Sequence, residues 1–145
     1  MGQAVLDATA TATASGAALP AETSSLRVYA HCSTKRNTNH QRPGAVTVLA
    51  INLGNRSSRL HFAPSLGDEV HAYVLTPSEG AAGSLSDKGG LLGTGVLLNG
   101  ERLALGADGQ LPAMAPVVGS TAAAAVVSPT AVGFYVLPGA AHAGC

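Results

Sequence analysis

Carboxylates are the first residues to consider for chemistry, because a well-placed pair can act as general acid and base. Asp68 and Glu69 are adjacent, so on a strand they point to opposite faces of the sheet and cannot act together. The other candidates lie in turns or in a Gly-rich stretch that does not orient them: Glu79, Asp87, Glu101 and Asp108. We therefore predict no catalytic residue in this chain.

Histidines are the next candidates, as metal ligands. They are His31, His40, His61, His71 and His142. None of them follows a metal-binding spacing such as H-x-x-x-H, so we predict no metal site. His31 and Cys32 do not form a nucleophile pair, because adjacent residues on a strand diverge. Gly93-Thr94-Gly95 does not continue into a dinucleotide-binding pattern, so no cofactor is expected.

Two cysteines and one glycosylation triplet indicate the compartment. Cys32 and Cys145 are an even number, as in a disulfide, although two free buried thiols are a common alternative. Asn55-Arg56-Ser57 fits the acceptor pattern for N-glycosylation, a pattern that also arises by chance. Together these features favour an oxidising compartment.

The N-terminal residues do not have the pattern of a signal peptide. Residues 1–20 have no basic region, and their middle is rich in Ala and Thr. We expect that Met1 is not the true start and that the protein is secreted, lysosomal or vacuolar, or peripherally attached to a membrane. No apolar run reaches the roughly 18 residues of a membrane helix, so no transmembrane segment is predicted.

The charge balance argues against a nucleic-acid partner. The chain has eight Lys and Arg residues and eight Asp and Glu residues, and no clustered basic face is visible. The densest basic run, residues 35–42, is predicted to be a solvated loop, with a glycan- or phosphate-binding patch as the alternative.

Several segments have the composition of β-strands. Residues 26–32, 59–62 and 70–75 alternate apolar and polar side chains, as half-buried strands do. Residues 45–53 are rich in β-branched residues and apolar on both faces, which indicates a strand within a packed sandwich. Residues 132–137 are also predicted to form a strand. For residues 121–127, four alanines favour a helix, but flanking Pro and Val residues favour the strand that we predict.

Turns divide these segments. Asn99-Gly100 predicts a two-residue hairpin turn with positive φ at both residues, which places Val96, Leu98, Leu103 and Leu105 on one face. Residues 77–95 are too rich in glycine for a regular element, and Pro112 and Pro116 exclude a central strand. Residues 1–8 could be a short strand or helix end, and residues 9–25 are predicted to form a low-complexity loop.

The pattern of short strands predicts an all-β fold. Seven or eight short antiparallel strands separated by turns are typical of a β-sandwich, with a barrel as the alternative. We divide the chain into two parts. Residues 1–25 precede the domain and include the low-complexity loop, and residues 26–145 form the β-sandwich domain.

Six segments, taken in order, resemble the heparanase family, glycoside hydrolase family 79. Residues 26–32 resemble its L-R-x-Y-x-H-C segment, and residues 46–57 its I-N-L strand followed by a glycosylation triplet. Residues 97–103 resemble its L-N-G hairpin, and residues 110–112 the L-P turn that follows. Residues 134–136 and 143–145 resemble the closing strand and the A-x-C tail. Residues 9–25 have no counterpart in the pattern.

The resemblance implies a module, not a complete enzyme. It implies a C-terminal β-sandwich beside a TIM barrel that carries two catalytic carboxylates upstream of these residues. The parent reaction would be hydrolysis of β-glucuronide bonds in glycans such as heparan sulfate or plant glucuronide-bearing polysaccharides. It also implies a Cys32–Cys145 disulfide and a glycan on Asn55. The alternatives are a stand-alone glycan- or protein-binding or signalling module, and a truncated product without function.

Overall fold

The structure is a computed structural model that describes residues 4–6, 12–14, 17–19, 25–33, 43–78 and 93–145. These residues form short β-strands and one 3₁₀ turn, Pro64–Leu66. The strands are β1 Val5–Leu6, β2 Ala12–Ala14, β3 Ala17–Leu19, β4 Leu26–Cys32, β5 Val46–Asn52, β6 Ser58–Leu60, β7 Glu69–Pro77, β8 Val96–Leu98, β9 Glu101–Arg102, β10 Val117–Ser120, β11 Ala125–Val127 and β12 Val132–Leu137. The predicted all-β class is confirmed, and the sheets do not close into a barrel within the described part of the chain.

One large antiparallel sheet organises the molecule. Its strand order is β1-β4-β5-β12-β7-β8-β9, and β10 also pairs with β7. The long strand β7 therefore has β12 on one edge, while its other edge is shared between β10 and β8. Two small two-stranded sheets accompany it, β6 with β11 and β2 with β3.

The hydrophobic core lies on one face of the main sheet, here called the inner face. Val46, Val48 and Ala50 of β5 stand beside Tyr135 and Leu137 of β12. The β6–β11 sheet packs against them through Val127, Ala125 and Leu60. The second layer therefore covers the inner face, which makes the fold a sandwich of unequal sheets.

Tyr135 is the largest side chain of this core. It is 1% exposed, and its ring centroid lies 5.7 Å from that of Phe62. Gly133 lies two residues earlier on the same face, and a Cβ built there would lie 2.6 Å from the Tyr135 ring and hydroxyl. The ring occupies the space that a larger residue would fill, so Gly133 is required by packing.

The strand predictions are accurate where the pattern is strong. Strands β4 and β12 have the predicted bounds, and β5 is within one residue of them at either end. The Asn99-Gly100 turn has the predicted positive φ values of 51° and 88°. Leu98 pairs with Glu101, so the predicted hairpin register is also correct.

Other predictions differ from the structure. Residues 121–127 form a turn followed by the short strand β11, and not one continuous strand. Strand β10 follows Pro116 directly and was not predicted. Strands β2 and β3 lie where a loop was expected. Most of the glycine-rich stretch and all of the basic run, residues 35–42, lie outside the described residues. No helix among those described is long and apolar enough to cross a membrane.

Candidate docking face and modification sites

Two of the described carboxylates, Glu69 and Asp108, make local structural contacts. Glu69 lies with one oxygen 2.6 Å from Nε2 of His71, two residues away on β7. The Asp108 carboxylate accepts a hydrogen bond from the Gln110 amide within a turn. Glu101 is exposed on β9, and Glu79 and Asp87 lie outside the described residues. Among the described residues, no group of three His, Cys, Asp or Glu side chains could hold a metal ion.

The chain end is tied to the main sheet by a disulfide between Cys32 and Cys145. Cys32 is the last residue of β4, and 113 positions separate the two cysteines in sequence. The Cα atoms are 5.2 Å apart, a distance that a disulfide ordinarily spans. The bond therefore closes almost the whole sandwich into a covalent loop.

Backbone contacts position the tail for this bond. The His142 amide donates to the Gly44 carbonyl at 2.9 Å, and the Cys145 amide donates to the His142 carbonyl at 3.0 Å. Gly44 has a φ of 84°, and a Cβ on it would lie 2.6 Å from Cα of Ala141. Two backbones therefore meet at Gly44, and sequence reasoning identified the cysteines but not the glycine that brings them together.

Asn52 organises the bend that carries the glycosylation triplet. Its side chain is fully buried and donates to the carbonyls of Arg56 and Val127, while its Oδ1 accepts from the Gly54 amide. Asn55 is exposed in this bend. The single polar residue at the end of an apolar strand was the signal that could have identified Asn52 as a buried structural amide.

The second face of the main sheet, here called the outer face, is also apolar. Tyr29, Leu49, Phe134 and Tyr73 lie opposite one another across four strands. A second row is formed in the same way by Ile51, Val132, Leu75 and Leu98, and it ends at Arg27 of β4, opposite Ile51. Opposite residues of paired strands share a face, so these side chains form one surface.

The outer face lies outside the core cluster, whose members belong to the inner face and its cover. Tyr29 is 47% exposed, and Leu49, Phe134, Ile51 and Val132 are half-buried. The next row is mostly polar: it holds His31, Thr47 and His71, with Val136 between the last two. An apolar centre beside a polar margin is the usual arrangement of a protein interface.

An exposed segment connects the hairpin β8–β9 to β10, and we call its residues 103–116 the apolar arm. Three of its large side chains are largely exposed: Leu105 at 66%, Leu111 at 60% and Met114 at 57%. A groove of about 240 Å³ lies between the hairpin and the returning end of the arm, lined by Leu98, Leu103, Pro112 and Val117 among others.

Asn99 fixes the arm to the main sheet. Its Oδ1 accepts from the Val74 amide at 2.8 Å, and its Nδ2 donates to the carbonyls of Ala72 and Ala115, each at 3.1 Å. The side chain thereby fills the gap between β8 and β10 along the edge of β7. Asn99 was predicted as a turn residue, and its second role as a bridge was not foreseen.

Sequence comparison agrees with the resemblance that the motifs gave. The chain is 35% identical to mouse (Mus musculus) inactive heparanase-2 over 113 residues, 77% of this chain and 18% of that protein. It is 35% identical to chicken (Gallus gallus) heparanase over 123 residues, 82% of this chain and 21% of the relative. This chain is a homologue of the heparanases.

The homology extends to a leech enzyme and covers a limited part of each relative. The hyaluronoglucuronidase of Hirudo nipponia is 35% identical over 127 residues, 85% of this chain and 23% of that protein. The chain therefore spans about a fifth of the length of the curated relatives that it matches. No protein-family model matches it.

Proposed function

We propose that this chain is the C-terminal β-sandwich module of a heparanase-like glycoside hydrolase. In this proposal the module carries no catalytic residue. It packs beside the catalytic barrel of a longer parent protein and stabilises it. The parent hydrolyses glucuronide bonds in glucuronic-acid-containing glycans, with heparan sulfate as the first substrate to test.

One observation carries the docking part of this proposal: a heparanase homologue keeps an apolar sheet face outside its own core. Leu49, Phe134 and Ile51 contribute aliphatic and aromatic surface at the centre of the main sheet. Burying this apolar surface against another domain would stabilise the parent by about 25 cal/mol per Å² of buried area. Since the relatives are about five times longer than the matched region, a catalytic domain is the natural occupant of this face.

The names of the relatives bear on whether the parent is active. One of them is called a heparanase and another a hyaluronoglucuronidase, while a third is called inactive. Homology alone therefore supports the domain arrangement more strongly than a particular substrate. Assays of the parent should include both heparan sulfate and hyaluronan.

The size of the native protein tests this proposal. An immunoblot with an antibody against residues 26–145 should give a band several times larger than 14.3 kDa. A single band near that mass would refute the module, and binding assays for a stand-alone protein would then replace hydrolysis assays.

The docking face is tested in the parent by Leu49→Asp, which places a charge at the centre of the outer face. Secretion and thermal stability of the parent should fall. Arg59→Asp is the control, because Arg59 is exposed on the small sheet, and it should leave both quantities unchanged. If the two variants had the same secretion and thermal stability, the outer face would not be a docking face.

We also propose that Asn55 carries an N-linked glycan and that the protein matures in the secretory pathway, reaching the extracellular space or the lysosome. The exposed bend at Asn55 and the Cys32–Cys145 disulfide support this proposal. Asn55→Gln should abolish a mass shift that peptide N-glycosidase removes from the wild type. An unmodified Asn55 in the secreted protein would refute it.

A further inference from the structure

The apolar arm is held in a defined shape although few of its side chains are buried. The Leu103 amide donates to the Val96 carbonyl at 2.9 Å, and the Gly106 amide donates to the Gln110 carbonyl at 2.8 Å. At the other end, Asn99 holds the Ala115 carbonyl. Both ends of the arm and the turn at its tip are therefore fixed by hydrogen bonds.

The surface of this fixed segment is apolar. Between Ala104 and Ala115 the sequence holds one charged residue, Asp108, and most other positions are Ala, Gly or Pro. Leu105, Leu111 and Met114 are the large side chains, and each is more than half exposed. Val117 is 57% exposed at the point where the arm returns to the sheet. An ordered cluster of exposed aliphatic side chains usually marks an interaction site.

The chemistry of the arm selects its partner. An anionic glycan needs cationic groups, but Arg102 at the base of the arm is followed by no Lys or Arg as far as residue 116 and is next to Glu101. An interface that is nearly free of charge fits an apolar protein surface, as in permanent contacts between domains. Relatives that continue for about four times the matched length supply such a surface.

We infer that the apolar arm is a second docking element, which inserts Leu105, Leu111 and Met114 into an apolar depression of the parent's catalytic domain. This inference rests on the proposed function, because the occupant is the domain that the parent supplies. It goes beyond that function in assigning contact to an exposed segment that shares a groove with Leu98 of the outer face. The arm then limits how far the two domains can rotate relative to each other.

A photo-crosslinking amino acid in the intact parent protein tests the inference. Placed at Leu111, it should yield linked peptides from the catalytic domain. Placed at Val126, which is 51% exposed on β11 opposite Arg59, it should yield none. Links from position 111 to a second copy of the module, or no links in a parent of full size, would overturn the inference.

A matched pair of substitutions gives an independent measurement. Leu105 and Val126 are exposed aliphatic residues, at 66% and 51%, so Leu105→Ser and Val126→Thr remove no fully buried side chain of this domain. In the parent, Leu105→Ser should lower the melting temperature by about 2 °C or more, and Val126→Thr should not. Equal melting temperatures for the two parent variants would refute the arm as a docking element.

The two proposals fail in distinguishable ways. A native protein of 14.3 kDa would refute the module, and with it the occupant assigned to the arm. A larger parent in which Leu49→Asp destabilises the protein while Leu105→Ser and the crosslinker have no effect would refute the arm alone.

Discussion

At the scale of single residues, Tyr135 combines a favourable ring with an unfavourable hydroxyl. The side chain is 1% exposed, and its hydroxyl has no hydrogen-bond partner among the described residues. Burying an unpaired hydroxyl costs about 1 kcal/mol or more. Tyr135→Phe should therefore raise the free energy of unfolding by about 1 kcal/mol, measured by urea denaturation at neutral pH.

The Tyr135 hydroxyl also makes the difference in unfolding free energy between Tyr135→Phe and the wild type depend on pH. Burial raises the pKa of Tyr135 above its ordinary value of 10.0, so the unfolded chain loses this proton at lower pH than the folded chain. Stability is then lost as the pH rises from 10 through the folded-state pKa. The advantage of Tyr135→Phe over the wild type should widen above about pH 10. An advantage that stays constant up to alkaline unfolding would contradict this account.

Gly133 offers a test of packing at the same place. A Cβ at Gly133 would lie 2.6 Å from the Tyr135 ring, whereas a Cβ at Gly119 would meet its nearest neighbour, Val70, at 3.8 Å. Gly133→Ala should lower the free energy of unfolding by about 1–3 kcal/mol because the ring must move. Gly119→Ala is the control and carries the same change in chain entropy. Similar stabilities for the two variants would show that the ring relocates freely.

At the scale of elements, the split edge of β7 depends on Asn99. Its side chain makes three hydrogen bonds across the gap between β8 and β10. Asn99→Gly preserves the positive φ but removes these bonds, so it should cost about 2 kcal/mol and speed amide exchange at Val74. Both effects belong to the edge of β7 and not to the turn itself.

Thr130→Gly is the control for that prediction. Thr130 also has a positive φ, of 60°, in the turn before β12, a conformation that is costly for a β-branched residue. Glycine there should be neutral or stabilising. If both glycine substitutions had the same sign and size, Asn99 would act as a turn residue alone.

The elements that the sequence predicts well are those in which local chemistry and tertiary packing agree. Asn99-Gly100 needs positive φ, and alternation in β4 reports a half-buried strand. Strand β10 was missed because Val117 and Val118 are 57% and 58% exposed and follow Pro116. Strand β10 forms because it pairs with the edge of β7, and local composition does not indicate that pairing.

The residues of the candidate sites were likewise predicted only where the residue type itself identifies them. Cys32, Cys145 and Asn55 are recognisable by residue type, so the sequence draws attention to them. Asn52 and Gly44 act through residues distant in sequence, Val127 and Ala141 respectively. The outer face could not be assigned either, because β5 is apolar on both sides and only the position of the small sheet tells which side is the core.

At the scale of the whole molecule, the disulfide compensates for a thin second layer. The sheet of β6 and β11 covers the inner face with two three-residue strands, so the sandwich buries less surface than one with two full sheets. A bond that closes a loop of 113 residues restricts the unfolded chain and is worth about 4–5 kcal/mol in the chain-entropy model. That amount is a large share of the usual stability of a domain.

Replacing both cysteines should therefore bring the module close to unfolding. A Cys32→Ser, Cys145→Ser double variant should have a much lower urea midpoint than the oxidised wild type, and the wild type in dithiothreitol should have the same midpoint as the variant. Gly44→Ala should reproduce part of the loss while both cysteines are present, because it pushes the tail away from β4. If the double variant kept the wild-type midpoint, packing of the two sheets alone would hold the fold, and the tail would be dispensable for stability.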